Sequence, residues 1–359
     1  MTQASTAPQV VDWTAAAQIA GRLAPPGPQA PREELAALVS GLRAAAGDAV
    51  GHVLETTRMQ PAGGAGEALS PVAVVDRATW ARANTQSMAA MTDGIGTIVA
   101  EVSRSATSAG AQLAGAAEIG AVLALLSGRV LGQFDPYSGP GRLLLVAPNV
   151  LQAERALRVP VRDFRLWVCL HEQTHALQFG AAPWLAEHLS GRTRHLVAGM
   201  ARTSAELAKA RFDKKVVAIG RSVLDTLRGD GGTLMDGMLT HEQKAELADI
   251  TAVMALLEGH ADVMMDAVGP RVVPSVRRIR ARFERRRDGE GRNTFDVVVQ
   301  KLLGMDAKLA QYRDGAAFVR SVERAVGRDG LNAVWAAPEN LPDAREIADA
   351  RAWVRRVHG

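Results

Sequence analysis

Apolar residues recur at helical spacing over most of the chain, which predicts a mostly α-helical protein. Clusters of glycine and proline interrupt this spacing. They mark residues 1–30 as an arm with one short helix around Trp13, and residues 60–66 as a loop. The predicted helices cover residues 31–46, 71 to about 109, 111–126 and nearly all of the chain after residue 146, with breaks at 160, 180–183, 229–232 and 269–270.

One short segment has a different pattern. Leu143–Val146 is an uninterrupted apolar run between Gly141 and Pro148, and a turn-rich stretch at residues 134–141 precedes it. Such a run predicts a buried β-strand. We therefore expect a small β element within a helical fold. We also expect an N-terminal arm and helical region over residues 1–110 and a second region over 111–359, with a single domain as the alternative.

Composition narrows the class of protein. Aromatic residues make up only 4% of the chain, which favours close-packed helices over a β-sandwich. The one cysteine excludes disulfides and cysteine-based zinc sites. The longest apolar run, Ile119–Leu126, is far shorter than the ~20 residues of a membrane span, and no signal peptide is visible. We expect a cytoplasmic protein with no membrane partner.

The strongest chemical signal is an H-E-x-x-H motif at residues 171–175. Residues i and i+4 lie on one face of a helix, so His171 and His175 can bind the same zinc ion. Glu172 lies in the same turn, where it can act as general base toward a zinc-activated water. No other charged residue occurs from Trp167 to Phe179, as expected for a buried active-site helix. The motif predicts Zn²⁺ as cofactor and Glu172 as the catalytic residue.

A catalytic zinc site needs a third protein ligand in addition to water. A metzincin would have glycine at position 178 and histidine at 181, but this chain has Gln178 and Ala181. That class is excluded, and a carboxylate on a second helix remains as the source of the ligand.

Glu258 is the best candidate for this third ligand. It lies on a helix predicted from Thr240, which has a capping box with Gln243, to Val268. Glu258 shares a helix face with mainly apolar residues, so its carboxylate should be buried and should need a charge partner or a metal. The other residues of this face are Leu247, Thr251, Met254, Ala261 and Met265. Gly259 is expected to let this helix approach the motif helix closely.

Two nearby residues offer alternatives and support. His260 could be the ligand instead, but it points about 200° away from Glu258 around the helix, and we therefore prefer Glu258. Asp262, one turn after Glu258, is predicted to accept a hydrogen bond from a ligand histidine. The resulting E-x-x-x-D spacing resembles that of gluzincin peptidases. In the opposing interpretation, Glu258 and Asp262 both face solvent.

An arginine-rich run at residues 277–287 raises the question of nucleic-acid binding. Val276, Ile279 and Phe283 form an apolar stripe at helical spacing within it, so the arginines are better explained as the solvated face of a packed helix. We expect no nucleic-acid partner. The alternative, an arginine-rich nucleic-acid-binding protein, predicts salt-sensitive binding through this run.

Tyr137 and Tyr312 are candidate hydrogen-bond donors to the transition state of a hydrolysis reaction.

Beyond these motifs, the whole chain resembles an actinobacterial zincin-like metallopeptidase family whose members carry an association with deazaflavin-cofactor biosynthesis. The segments that carry the resemblance are Val11–Trp13, Val146–Asn149, Leu170–His175 with Pro183-Trp184, Glu258–Asp262 with Gly269-Pro270, Asp306–Leu309, Tyr312–Gly315 and Asn332–Trp335. The resemblance implies a mostly helical zincin-like fold and zinc-dependent hydrolase activity. It implies no particular substrate.

Together these observations favour a gluzincin-type zinc metallopeptidase that cleaves a peptide or protein substrate. His171, His175 and Glu258 would bind zinc, Glu172 would act as general base, and Asp262 would orient a ligand histidine. The alternative is a zincin scaffold that binds metal or a partner protein without catalysis. The intact Glu172 argues against that alternative, because a non-catalytic zinc site does not need it.

Overall fold

The computed structural model describes residues 9–64, 69–102, 107–209, 239–287 and 305–359. These residues are mostly helical and include a small three-stranded sheet, which confirms the predicted fold class. The predicted break at residues 229–232 lies outside the described residues. The first helices are α1 (Trp13–Leu23), α2 (Arg32–Thr57), α3 (Arg77–Met91), α4 (Ile95–Val102), α5 (Ala109–Ser127), α6 (Ala147–Leu157) and α7 (Val161–Ala181). The later helices are α8 (Leu185–Lys209), α9 (His241–Ala267), α10 (Val276–Arg287), α11 (Met305–Leu331), α12 (Ala344–Ala348) and α13 (Ala350–His358).

The sheet consists of β1 (Val72–Val75), β2 (Gly132–Asp135) and β3 (Arg142–Val146), in the order β1-β3-β2. β3 is the central strand, parallel to β1 and antiparallel to β2. Residues 143–146 of β3 are all buried, as expected for the apolar run that predicted this strand.

Two of the strands were not predicted. β1 lies where the sequence predicted a helix from Pro71 onward, and that prediction is wrong for residues 72–75. Three of its four residues are valines, which favour extended structure. The helix begins only after Asp76, whose side chain accepts a hydrogen bond from the backbone N–H of Thr79 at 2.7 Å. β2 includes Phe134 and Asp135, which the sequence placed in a turn.

The core joins residues on both sides of position 110. β1 pairs with β3, and α2 packs along α7. The Gln173 side chain of α7 donates a hydrogen bond to the carbonyl of Ala46 in α2 at 2.9 Å. The predicted division after residue 110 falls within the first turn of α5, and it remains a prediction.

α5 covers the helix predicted at residues 111–126, and it is longer than the apolar run Ile119–Leu126 that was compared with a membrane span. Within the described part of the chain, it is the one helix whose length and composition would allow it to cross a membrane. In the structure it packs against α1 and α3. Gly120 makes the close contact with α1, because a Cβ there would lie 2.8 Å from the Ile19 side chain.

α9 begins as predicted, with a capping box in which Thr240 and Gln243 each bond to the other's backbone N–H. The predicted buried face is only partly correct. Ala261 and Met265 are buried, but Leu247 and Met254 are 38% and 41% exposed. Met254 lines an open cleft rather than a helix interface, and for that reason it is not covered.

Gly259 permits a close helix crossing, but the partner differs from the predicted one. A Cβ at Gly259 would lie 2.2 Å from the backbone carbon of Gly315 in α11. Gly259 therefore brings α9 against α11, not against the motif helix α7. Glu258 immediately precedes Gly259 along α9.

The arginine-rich run forms α10, and its apolar stripe packs as predicted. Val276 and Ile279 are buried, and Phe283 packs against the same core. Arg280 pairs with acidic residues of α9. The absence of a nucleic-acid partner remains a prediction.

Candidate metal centre

α7 carries the H-E-x-x-H motif through the middle of the core. It starts after Pro160, which cannot donate a backbone hydrogen bond and suits a helix N-terminus. The residues immediately before the motif, 166–170, are all buried. The His171 and His175 rings lie one turn apart and meet edge to face, with their Nε2 atoms 3.2 Å apart. Both rings line the same cleft.

Glu258 of α9 completes a three-residue cluster. Its Oε2 lies 3.4 Å from His171 Nε2, and its Oε1 lies 3.8 Å from His175 Nε2. The three ligand atoms all lie within 4.8 Å of one another. Ligand atoms at the usual zinc distances of about 2.0–2.2 Å in a tetrahedron are about 3.3–3.6 Å apart. The cluster therefore fits a zinc ion in both donor type and spacing.

The structure thus places Glu258, and not His260, beside the two histidines. His260 lies on the opposite side of α9 and is completely buried. The positions of Glu258 and His260 around a helix predicted this direction from the sequence. The Glu258 side chain is 30% exposed, so it borders the cleft and is not enclosed in the core.

Glu172 is a separate carboxylate beside the cluster and is only 6% exposed. It packs against β2 at Gly132, where a Cβ would lie 2.7 Å from its Cγ and 3.0 Å from its Oε1. Burial raises the pKa of Glu172 to about 7, with the charge of Glu258 adding to the rise and that of His171 opposing it. A carboxyl group with this pKa can both accept and return a proton near neutral pH.

The three cluster residues shift one another's pKa values. Burial acts to raise the pKa of Glu258, but the hydrogen bond from His171 and the charges of both histidines outweigh it and lower that pKa to about 2. Burial acts to lower the pKa of His171, but the hydrogen bond and charge of Glu258 raise it to about 9. Burial lowers the pKa of His175. The metal-free cluster therefore pairs a charged His171 with a charged Glu258, while His175 is neutral.

Asp262 has a different partner from the one predicted. Its Oδ1 accepts a hydrogen bond from Arg280 Nη1 at 3.2 Å, and Arg280 also pairs with Asp266 at 2.8 Å. No hydrogen bond joins Asp262 to His171 or His175 among the described residues.

Gln178 instead contacts a cluster histidine, with its Oε1 2.9 Å from His175 Nδ1. From the sequence alone, Gln178 served only to exclude a metzincin. Its position three residues after His175, on the same helix face, was the available signal.

A family model described as a zincin-like metallopeptidase matches residues 11–354. The chain belongs to this family. Membership implies a metal-dependent hydrolase, and the His/His/Glu cluster is a donor set that zinc takes.

A solved structure is also similar to this chain. It is a protein from Chloroflexus aurantiacus described as "a putative hydrolase with a novel fold", which is 29% identical, with 97% of this chain and 99% of that chain covered and a TM-score of 0.63. No significant match was found among curated proteins. These comparisons do not test the actinobacterial origin or the deazaflavin association, which remain predictions.

The cluster of His171, His175 and Glu258 opens into a cleft of about 700 Å³, which the sequence could not predict. Its wall is largely apolar, and the apolar side chains come from α3, β2, α7, α9 and α10. They include Met88, Phe134, Phe179, Met254 and Phe283. A volume of this size accommodates a few residues of an extended substrate or a small organic molecule.

Tyr137 also lines this cleft. Burial, together with the charges of Asp135 and Glu187, raises the pKa of Tyr137 to about 12. Its hydroxyl is therefore protonated at neutral pH and can donate a hydrogen bond. The side chain of Tyr312, the other candidate donor, lies outside the described part of the structure.

Proposed function

We propose that this zincin-like protein is a gluzincin-type zinc metallopeptidase that hydrolyses peptide bonds. The observation that carries the proposal is the meeting of His171 and His175 with Glu258, contributed by a second helix, beside a buried Glu172. The two histidines and Glu258 would hold zinc, and Glu172 would act in catalysis without binding it.

When bound, zinc supplies a Lewis acid and promotes the ionisation of water. Glu172 accepts one proton from the attacking water as the water oxygen bonds to the peptide carbonyl carbon. As the carbon–nitrogen bond breaks, Glu172 delivers this proton to the leaving amine. In the metal-free protein, burial raises the pKa of this carboxyl group above its usual value, which favours a group that can take up and return a proton.

The test combines metal analysis with a cleavage assay. Purified protein should contain about one zinc per chain, since the described residues show one ligand cluster of this type. The protein should also cleave members of a peptide library, as detected by mass spectrometry. Zinc without any cleavage would favour the non-catalytic scaffold, and absence of both would overturn the proposal.

Glu172→Gln should keep zinc and the fold but slow cleavage by at least about a hundredfold, because glutamine cannot accept the proton. Elemental analysis and cleavage rates measure the two effects separately. Glu242→Gln, at an exposed position in the first turn of α9, is the matched control and should change neither. Loss of zinc in Glu172→Gln would show that Glu172 is a ligand.

Gly132→Ala should also slow cleavage while leaving zinc bound. The new Cβ would lie 2.7 Å from Glu172 Cγ, so the carboxyl group must move. A displacement of about 1 Å costs roughly a hundredfold in rate. Gly180→Ala is the control, because its Cβ would make only an ordinary 3.6 Å contact with Pro61. An unchanged cleavage rate in Gly132→Ala would contradict the role of this contact.

The peptide substrate class, the cytoplasmic location and the deazaflavin association are proposals that follow from the sequence and the resemblance. The same holds for the absence of nucleic-acid and membrane partners.

A further inference from the structure

A chain of buried polar groups leads from the candidate metal ligand His175 through Gln178 to His260 of α9. Gln178 and His260 are both completely buried. Gln178 Oε1 lies 2.9 Å from His175 Nδ1, and Gln178 Nε2 lies 3.0 Å from His260 Nδ1. The same Nε2 donates to the backbone carbonyl of Leu257 at 2.9 Å.

The chemistry of these groups sets the direction of every hydrogen bond. The Leu257 carbonyl can only accept, so the NH₂ group of Gln178 must face α9 and its carbonyl oxygen must face His175. His175 Nδ1 must then carry a proton and donate it. This leaves the lone pair of His175 Nε2 directed toward Glu258 and His171, as a metal ligand requires.

The same reasoning fixes which nitrogen of His260 carries the proton. Its Nδ1 must accept from Gln178, so its own proton lies on Nε2. That Nε2 is buried and has no hydrogen-bond partner among the described residues. The His260 ring lies edge to face with the Trp335 ring, and their centroids are 5.2 Å apart. A buried unpaired N–H reduces stability. Packing alone therefore does not account for a histidine here.

We propose that Gln178 and His260 are positioning residues for the metal centre, with His260 holding the Gln178 amide in the orientation that keeps His175 in its Nδ1–H tautomer. This inference rests on the proposed metal site. It differs from the sequence-based expectation, in which Asp262 orients a ligand histidine and His260 is only the alternative to Glu258 as a ligand.

The first test needs no metal. In metal-free wild-type protein labelled with ¹⁵N-histidine, long-range ¹H–¹⁵N NMR should show the His175 proton on Nδ1. A proton on Nε2 would overturn the proposal. If the wild-type protein binds no zinc, the proposed function fails, but this measurement still decides whether the polar chain acts on His175.

The second test is zinc affinity, measured by competition with a chromophoric chelator. Gln178→Met should lower affinity by about 10–100-fold, as loss of an outer partner of a ligand histidine does. His260→Leu should lower it less, since Leu257 still holds the amide. His260→Asn, whose Oδ1 can replace the Nδ1 acceptor, should restore it. Unchanged affinity in Gln178→Met, or no rescue by asparagine, would overturn the proposal.

A double variant separates positioning from general destabilisation. In the Gln178→Met background, His260→Leu should cause no further loss of zinc affinity, because His260 acts through Gln178. The melting temperature of metal-free His260→Leu should change little, because the variant removes the unpaired His260 Nε2–H but leaves one Gln178 N–H without its acceptor. Fully additive losses of affinity, or a loss that follows a lower melting temperature, would assign both residues a merely structural role.

Discussion

Glu258→Ala should lower zinc affinity by about a thousandfold or more, which exceeds the 10–100-fold cost of losing an outer partner. The variant removes the single carboxylate of the His171–His175–Glu258 cluster, and two histidines alone cannot complete a protein site for zinc. Chelator competition gives the affinity, and circular dichroism checks the fold. Retained zinc affinity would mean that the third ligand lies elsewhere.

Asp262→Ala is the matched control for Glu258→Ala. The two carboxylates lie one turn apart on α9, but the Asp262 side chain pairs with Arg280 and not with a ligand histidine. Arg280 retains its ion pair with Asp266 in this variant. We therefore expect a loss of less than about tenfold in zinc affinity. A larger loss would restore the role that the sequence predicted for Asp262.

Gly315→Ala should destabilise the protein by about 3 kcal/mol or more, at or above the upper end of overpacking costs. A Cβ at Gly315 would lie 1.9 Å from the backbone carbonyl oxygen of Ala255, and backbone atoms cannot rotate away as a side chain can. Helices α9 and α11 must then separate. Because Glu258 lies next to Gly259 in this crossing, zinc affinity should fall as well.

Chemical denaturation measures the loss of stability in Gly315→Ala. Gly47→Ala is its control, because Gly47 lies in the interior of α2 and a Cβ there would meet nothing within 4 Å. This control should be neutral or stabilising by up to about 1 kcal/mol. Equal stability of the two variants would show that the α9–α11 contact is not tightly packed.

Much of the fold could be predicted because its signals are local. Helix α9 begins where the capping box of Thr240 and Gln243 placed it, and β3 occupies the apolar run between Gly141 and Pro148. β1 was missed because four residues are too few to show a period. In that segment the valines pair with β3, which is about 70 residues away along the chain, and this pairing decides the structure.

By itself, the sequence determined which residues could meet at a metal. The spacing of His171 and His175 is a property of one helix turn, and the opposite directions of Glu258 and His260 follow from the angle between neighbouring helical positions. These inferences depend only on the geometry of a single helix, and the structure places Glu258 beside the two histidines as they required.

Only the tertiary structure decided what surrounds that cluster. It gave Asp262 an arginine partner, placed Gln178 between His175 and His260, and brought β2 against Glu172 at Gly132. Helical periodicity states where a side chain points relative to its own axis, but not which neighbour it meets there. That neighbour depends on which helices and strands cross and how closely their backbones approach, and these contacts join residues that are far apart in the chain.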